Sequence, residues 1–218
     1  MTEAASAGRA VLPRAVLLTG GTSAAGRAVA RRLAEGGARV IVAGRDPEKL
    51  ASLASAGYDT VEADLADPGE VRVLADAVGS LDGVLHLVGG WRGGGGIPGQ
   101  SEEDYRVLEA SFTSLRLVTR ALWPSLIASP RARVAIVSST AVARPLAGGA
   151  NYAAVKAASE AWARALAHGF AKEAPASAAT IFRVKTLTGL EERLAEAYSA
   201  LWSAPAAEVN DRVIELRP

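Results

Sequence analysis

Tyr152 and Lys156 stand four residues apart in the run Asn151-Tyr152-Ala153-Ala154-Val155-Lys156. In a helix that spacing puts both side chains on one face, one turn apart. A phenol, with an ordinary pKa near 10, is a poor acid–base catalyst at neutral pH. An ammonium one turn away favours the phenolate and lowers that value. Ser139 lies 13 residues before Tyr152, at the end of an apolar run, so its hydroxyl can reach a substrate oxygen from a strand tip. Together the three groups suit proton exchange with a carbonyl or alcohol while a nicotinamide exchanges hydride with the attached carbon. The plain alternative is a surface Tyr–Lys pair of little energetic value. Against it, only four of the 24 basic residues are lysine, yet lysine stands here. A guanidinium holds its proton too tightly to serve in a proton relay.

A hydride carrier needs a binding site, and Thr19-Gly20-Gly21-Thr22-Ser23-Ala24-Ala25-Gly26 offers one. Glycines permit a tight turn and let backbone N–H groups approach a pyrophosphate at a helix N-terminus. Gly20, Thr22, Ser23, Ala24, Ala25 and Gly26 are the candidate contacts, with Ala24 where a glycine is expected; many such turns bind nothing. An acidic residue about 20 positions further on would hold the adenosine ribose and repel a 2′-phosphate. This chain has Gly44-Arg45 there. A guanidinium can pair with a phosphorylated adenosine, so NADP(H) is the expected cofactor, with NAD(H) the other possibility. Arg45 is otherwise a solvated arginine beside a helix-capping Asp46. Asp64, followed by Leu65, either accepts from an adenine amino group or simply closes a turn.

Seven short apolar runs position these groups: Ala15–Leu18, Arg39–Gly44, Thr60–Ala63, Gly83–Gly89, Arg133–Ser138, Ala179–Val184 and Arg212–Leu216. Most are continuously hydrophobic, as strands covered on both faces are. Helix candidates lie between them: Gly26–Gly36, Pro47–Ala56, Glu70–Val78, Ser101–Trp123, Asn151–Glu173 and Gly189–Trp202. This alternation predicts an α/β fold, a Rossmann-type doubly wound parallel sheet of about seven strands with helices on both faces in three layers. The 218 residues, half of them hydrophobic and 22% charged, are read as a single domain, with a short substrate loop near 185–203 and disorder-prone residues 1–12. The segment Gly89–Gln100 is too glycine-rich to be a regular element, and is either a flexible connection or a mobile loop at the site.

Lys plus Arg (24) nearly balances Asp plus Glu (23), so no strong field favours nucleic acid or an anionic membrane. There is no cysteine, which excludes disulfides, thiolate metal sites and Cys nucleophiles; the two histidines, His86 and His168, cannot alone make a usual metal centre. No run approaches the roughly 20 apolar residues of a membrane span, and Glu3 is unlike the start of a signal peptide. A cytoplasmic protein acting on a small molecule is expected.

TGGTSAAG, Asp64-Leu65, IVSS and ANYAAVKAASEAWARALA, in that order and spacing, resemble the short-chain dehydrogenase/reductase family. The resemblance runs from Val16 to about Leu216. It implies a dinucleotide-binding domain with Tyr152 as proton donor/acceptor. Lys156 would bind the nicotinamide ribose and tune Tyr152, and Ser139 would orient substrate. It also implies a homodimer or homotetramer packed through the helices near 101–123 and 151–173. Three departures stand out. The usual Asn-Asn-Ala-Gly reads His86-Leu87-Val88-Gly89, where Val88 and Gly89 can still line the cofactor and His86 reads as a buried strand histidine. The asparagine that supports a water relay to lysine corresponds to Ser111. The usual Pro-Gly after the sixth strand is missing from Arg183–Gly189, where Thr186 or Thr188 is a candidate for the nicotinamide amide or a phosphate. The VGG-W-RGGGG loop and the short tail ending in a strand are similar to dihydropteridine-reductase-like members, but the Gly44-Arg45 pair departs from their NADH-type acid; the expected substrate is a carbonyl or a related C=N or quinonoid group. The departures also leave open a catalytically silent dinucleotide-binding or regulatory protein.

Overall fold

The computed structural model describes residues 14–217; the segment expected to be disorder-prone lies outside them. β1 (Ala15–Thr19) is buried along its whole length, with successive side chains entering opposite layers. Val16 and Leu18 pack with α1 (Ala24–Glu35), and Leu17 packs into the layer on the other face. β2 (Arg39–Gly44), β3 (Asp59–Glu62), β4 (Gly83–His86), β5 (Arg133–Ser139), β6 (Ala178–Val184) and β7 (Arg212–Glu215) complete the sheet. All pairings are parallel, in the order β3-β2-β1-β4-β5-β6-β7. α2 (Pro47–Ser55), α6 (Glu191–Ala200) and the short α7 (Ala206–Val209) share α1's face. α3 (Pro68–Val78), α4 (Glu102–Ala128) and α5 (Ala150–Glu173) cover the other. This is the three-layer, doubly wound α/β architecture expected from the alternation of apolar runs and helices. After β3 the chain returns to the far side of β1 to form β4, and at such a switch point the strand ends leave a crevice open to ligands.

Four elements differ from the reading above. β4 ends at His86 rather than Gly89, although the Leu87 N–H still donates to the Thr19 carbonyl at 2.8 Å. α4 runs to Ala128 through Pro124, since Leu122 and Leu126 keep the helix's apolar face buried and the orphaned carbonyl lies on exposed Arg120. α3 starts at Pro68, with the Asp67 carboxylate capping the Gly69 and Glu70 amides. The 185–203 segment is a loop only as far as Leu190; α6 follows and packs on α1, with Leu194, Ala195 and Tyr198 in the core. Among the described residues no helix is long and apolar enough to cross a membrane.

Candidate active site

The turn after β1 is shaped by close backbone approach. Gly20 has φ +69°, and a Cβ on it would lie 2.9 Å from the Val88 amide nitrogen. A Cβ on Gly26 would fall 2.2 Å from the Gly21 carbonyl oxygen, so the first turn of α1 rests directly on the glycine turn. Ser23 caps that helix by accepting from the Gly26 N–H at 3.2 Å. The turn forms one wall of a groove of about 710 Å³ running across the strand tips.

Of the residues singled out from sequence, Gly20, Thr22, Ser23, Arg45, Asp64, Leu65, Val88, Gly89 and Ser111 all line this groove. Ala25 and Gly26 are buried behind the turn, Ala24 is exposed at the start of α1, and none of the three is a lining residue. Thr186 is exposed beyond β6 and does not line it either. At the β2 end an Arg45 guanidinium nitrogen lies 3.9 Å from an Asp64 carboxylate oxygen. The other Asp64 oxygen accepts from the Ala66 N–H at 3.0 Å, so the turn role is filled. Asp46 caps α2 through the Lys49 N–H and also receives the Lys49 ammonium at 2.8 Å. An elongated groove with a glycine cradle at one wall and a guanidinium at one end fits a dinucleotide.

Ser139, Tyr152 and Lys156 are not among the groove's lining residues; Lys156 on α5 reaches back to β5 beside the lining residue Gly89, donating to the Val137 carbonyl at 2.9 Å. Its Nζ would lie only 3.3 Å from a Cβ on Gly89, so glycine there leaves room for the amine at the edge of the groove. Burial lowers the Lys156 pKa to about 8, opposed by the Glu160 carboxylate one turn on. Tyr152 lies one turn earlier, with its ring centroid 5.9 Å from the Lys156 nitrogen. Ser139 ends β5 two residues after Val137, and its buried Oγ accepts from the Ala141 N–H at 3.1 Å. Its own O–H is left to donate. Ser139 and the Tyr152–Lys156 turn therefore converge on the C-terminal end of one strand.

His86 lies beneath this end, and burial, then the Lys156 charge, pushes its pKa down to about 3. The Ser111 carbonyl, 3.0 Å from Nε2, can only accept, so Nε2 carries the proton and Nδ1 accepts from the Thr19 hydroxyl at 2.8 Å. The buried histidine thus ties β1 and β4 to α4. Ser111's own hydroxyl donates to the Leu108 carbonyl at 2.6 Å within its helix, away from any relay.

Other residues of the site went unremarked in the sequence. Arg92 and Lys49 line the groove. Glu160 is buried on α5; burial pushes its carboxyl pKa up, but Arg183 and Ser138 outweigh this and hold it low. Ser138 donates to it at 2.7 Å, and Arg183 grips both its oxygens. A glutamate one further turn along the Tyr152–Lys156 face was the available signal. Trp202 is buried in the core against Tyr198, and Trp91 and Leu146 are exposed.

An open parallel sheet with a glycine-cradled groove at its switch point defines a dinucleotide-binding α/β protein. The short chain dehydrogenase family matches residues 14–192, and this chain belongs to it: an oxidoreductase family that works with a nicotinamide dinucleotide. Among relatives, a protein of Streptomyces violaceoruber assigned as ketoacyl reductase 1 of granaticin polyketide synthase is 30% identical, over 100% of this chain and 84% of its own. The 1-deoxy-11-beta-hydroxypentalenate dehydrogenase of Streptomyces avermitilis is 35% identical over 71% of this chain and 62% of its own. Among solved structures, serine dehydrogenase from Escherichia coli superimposes with a TM-score of 0.84 at 24% identity, covering 94% and 97% of the two chains. An actinorhodin polyketide ketoreductase with NADPH gives 0.82 at 20% identity, covering 94% and 95%. At such identities the structures share the fold.

Proposed function

We propose that the protein is an NADP(H)-preferring oxidoreductase that interconverts a carbonyl and an alcohol, or reduces a related C=N or quinonoid group. The observation that carries this reading is the placement of Lys156: its partly buried ammonium is held by the Val137 carbonyl beside Gly89, which lines the groove, one turn from Tyr152. NADPH, when bound, supplies the hydride. Gly20, Thr22 and Ser23 would hold its phosphates, Val88 and Gly89 would line its path, and Leu65 with Asp64 would meet the adenine. Arg45 would pair with the 2′-phosphate. Ser139 donates its O–H to the substrate oxygen. Tyr152 gives that oxygen its proton as hydride reaches carbon, and Lys156 stabilises the phenolate left behind before water reprotonates it. Association into a dimer or tetramer through α4 and α5 is part of the same reading.

The test follows NADPH absorbance against a panel of ketones, aldehydes, quinones and dihydropterins, with wild type and Tyr152→Phe. Turnover by wild type, reduced about 10²- to 10⁴-fold in the variant, is expected. NADPH binding without turnover of anything in the panel would instead indicate a silent dinucleotide-binding protein.

A further inference from the structure

The glycine-rich segment between β4 and α4 is not free: beside its own turn hydrogen bonds, one side chain, Gln100, fastens it. The Gln100 amide nitrogen lies 3.1 Å from each of the carbonyl oxygens of Gly94, Gly96 and Gly148. Its carbonyl oxygen accepts from the Asn151 backbone N–H, also at 3.1 Å. The loop meets the 147–149 turn backbone to backbone. Gly94 N–H donates to the Gly148 carbonyl at 2.7 Å, and a Cβ on Gly93 would fall 2.3 Å from that same oxygen. Four consecutive glycines, Gly93 to Gly96, have positive φ. No other residue type holds such a path without strain.

Asn151 is the second residue of α5, and the N–H groups of a helix's first turn have no partner within the helix. Most helices fill this gap with a side chain at the residue just before the first turn. Here that residue is Gly149, and it makes no side-chain cap. Gln100, 51 residues upstream, supplies the missing acceptor. Tyr152 is the next residue. One side chain therefore caps the turn that carries the phenol while its other end gathers the loop that begins at the groove floor, Gly89.

We infer that Gln100 is a positioning residue: it fastens the Gly93–Gly99 loop against the 147–149 turn and holds the first turn of α5, and so Tyr152, in register with that loop. This rests on the catalytic reading of Tyr152, but the brace itself can be measured without catalysis.

Amide exchange resolved by NMR on the full chain, with and without NADPH, compares wild type, Gln100→Ala and Gln100→Glu. Gln100→Ala removes both functions, so the Asn151 and Gly94 amides should exchange about fivefold faster or more. In the active enzyme kcat should fall about tenfold or more, as expected when a reacting group is misplaced, with NADPH affinity within about twofold of wild type. Gln100→Glu keeps an acceptor for Asn151 but offers the carbonyls no donor. It should preserve Asn151 protection, loosen Gly94, and raise KM more than it lowers kcat. Wild-type exchange at both amides in Gln100→Ala overturns the proposal, as does a Gln100→Glu variant indistinguishable from Gln100→Ala. A wild type that turns over no carbonyl compound defeats the catalytic reading alone, because the exchange rates still decide the brace.

Discussion

His86 should make the protein acid-sensitive in a defined window. In the fold it is neutral, with a pKa of about 3 against an ordinary 6.5. Below pH 6.5 the unfolded chain takes up a proton at this residue that the folded chain refuses, so stability falls as the pH is lowered. The loss grows by about 1.4 kcal/mol for each pH unit. Two units of acidification then cost on the order of 2–3 kcal/mol, a large part of a typical domain's 5–15 kcal/mol. Urea unfolding followed by circular dichroism, from about pH 7.5 down to 4.5, would compare wild type with His86→Gln. Glutamine has polar atoms for Thr19 and Ser111 but no titration. Carboxylates common to both proteins cancel in the difference, and the exposed His168 is common to both as well. Wild type should be the more stable near neutrality, with the gap closing by at least about 2 kcal/mol on acidification. A gap independent of pH would show that His86 titrates in the fold much as it does in the unfolded chain, and would refute the buried-neutral assignment.

Two further substitutions probe the groove. Gly20→Ala forces a Cβ to within 2.9 Å of the Val88 nitrogen at φ +69°, which should cost about 1–3 kcal/mol and weaken NADPH at least about tenfold; thermal melts and fluorescence titration check both. Arg45→Asp replaces the cation at the β2 end with a charge that repels a 2′-phosphate. NADPH affinity should fall about ten- to a hundredfold while NADH changes little, and equal losses for the two cofactors in a binding titration would remove Arg45 from the discriminating role.

Much of the architecture was legible because parallel strands buried on both faces leave continuous apolar runs, and the turn after β1 announces itself through glycines whose close backbone approach a Cβ would block. The spacing of Tyr152 and Lys156 predicted one helical face, and α5 carries the two a turn apart. The positions that escaped depend on contacts between distant segments. Gln100 lies at the end of a glycine run and shows its role only once the 147–151 turn is brought against it. Arg183 meets Glu160 because β6 pairs with β5 beneath α5, a juxtaposition no local pattern encodes. α4 continued past Pro124 because burial of Leu126 outweighed one lost backbone bond. Thr186 is exposed beyond β6 and, like Ser139, Tyr152 and Lys156, is not among the groove's lining residues.

The most direct measurement is a crystal structure with NADP and a slow substrate or alcohol product in place. The account predicts one substrate oxygen within hydrogen-bond reach, about 2.6–3.2 Å, of both the Tyr152 and Ser139 hydroxyls, with its carbon against the nicotinamide ring and the Lys156 amine beneath. A Tyr152 hydroxyl directed away from that oxygen, or a nicotinamide seated elsewhere than beside Gly89, would contradict it.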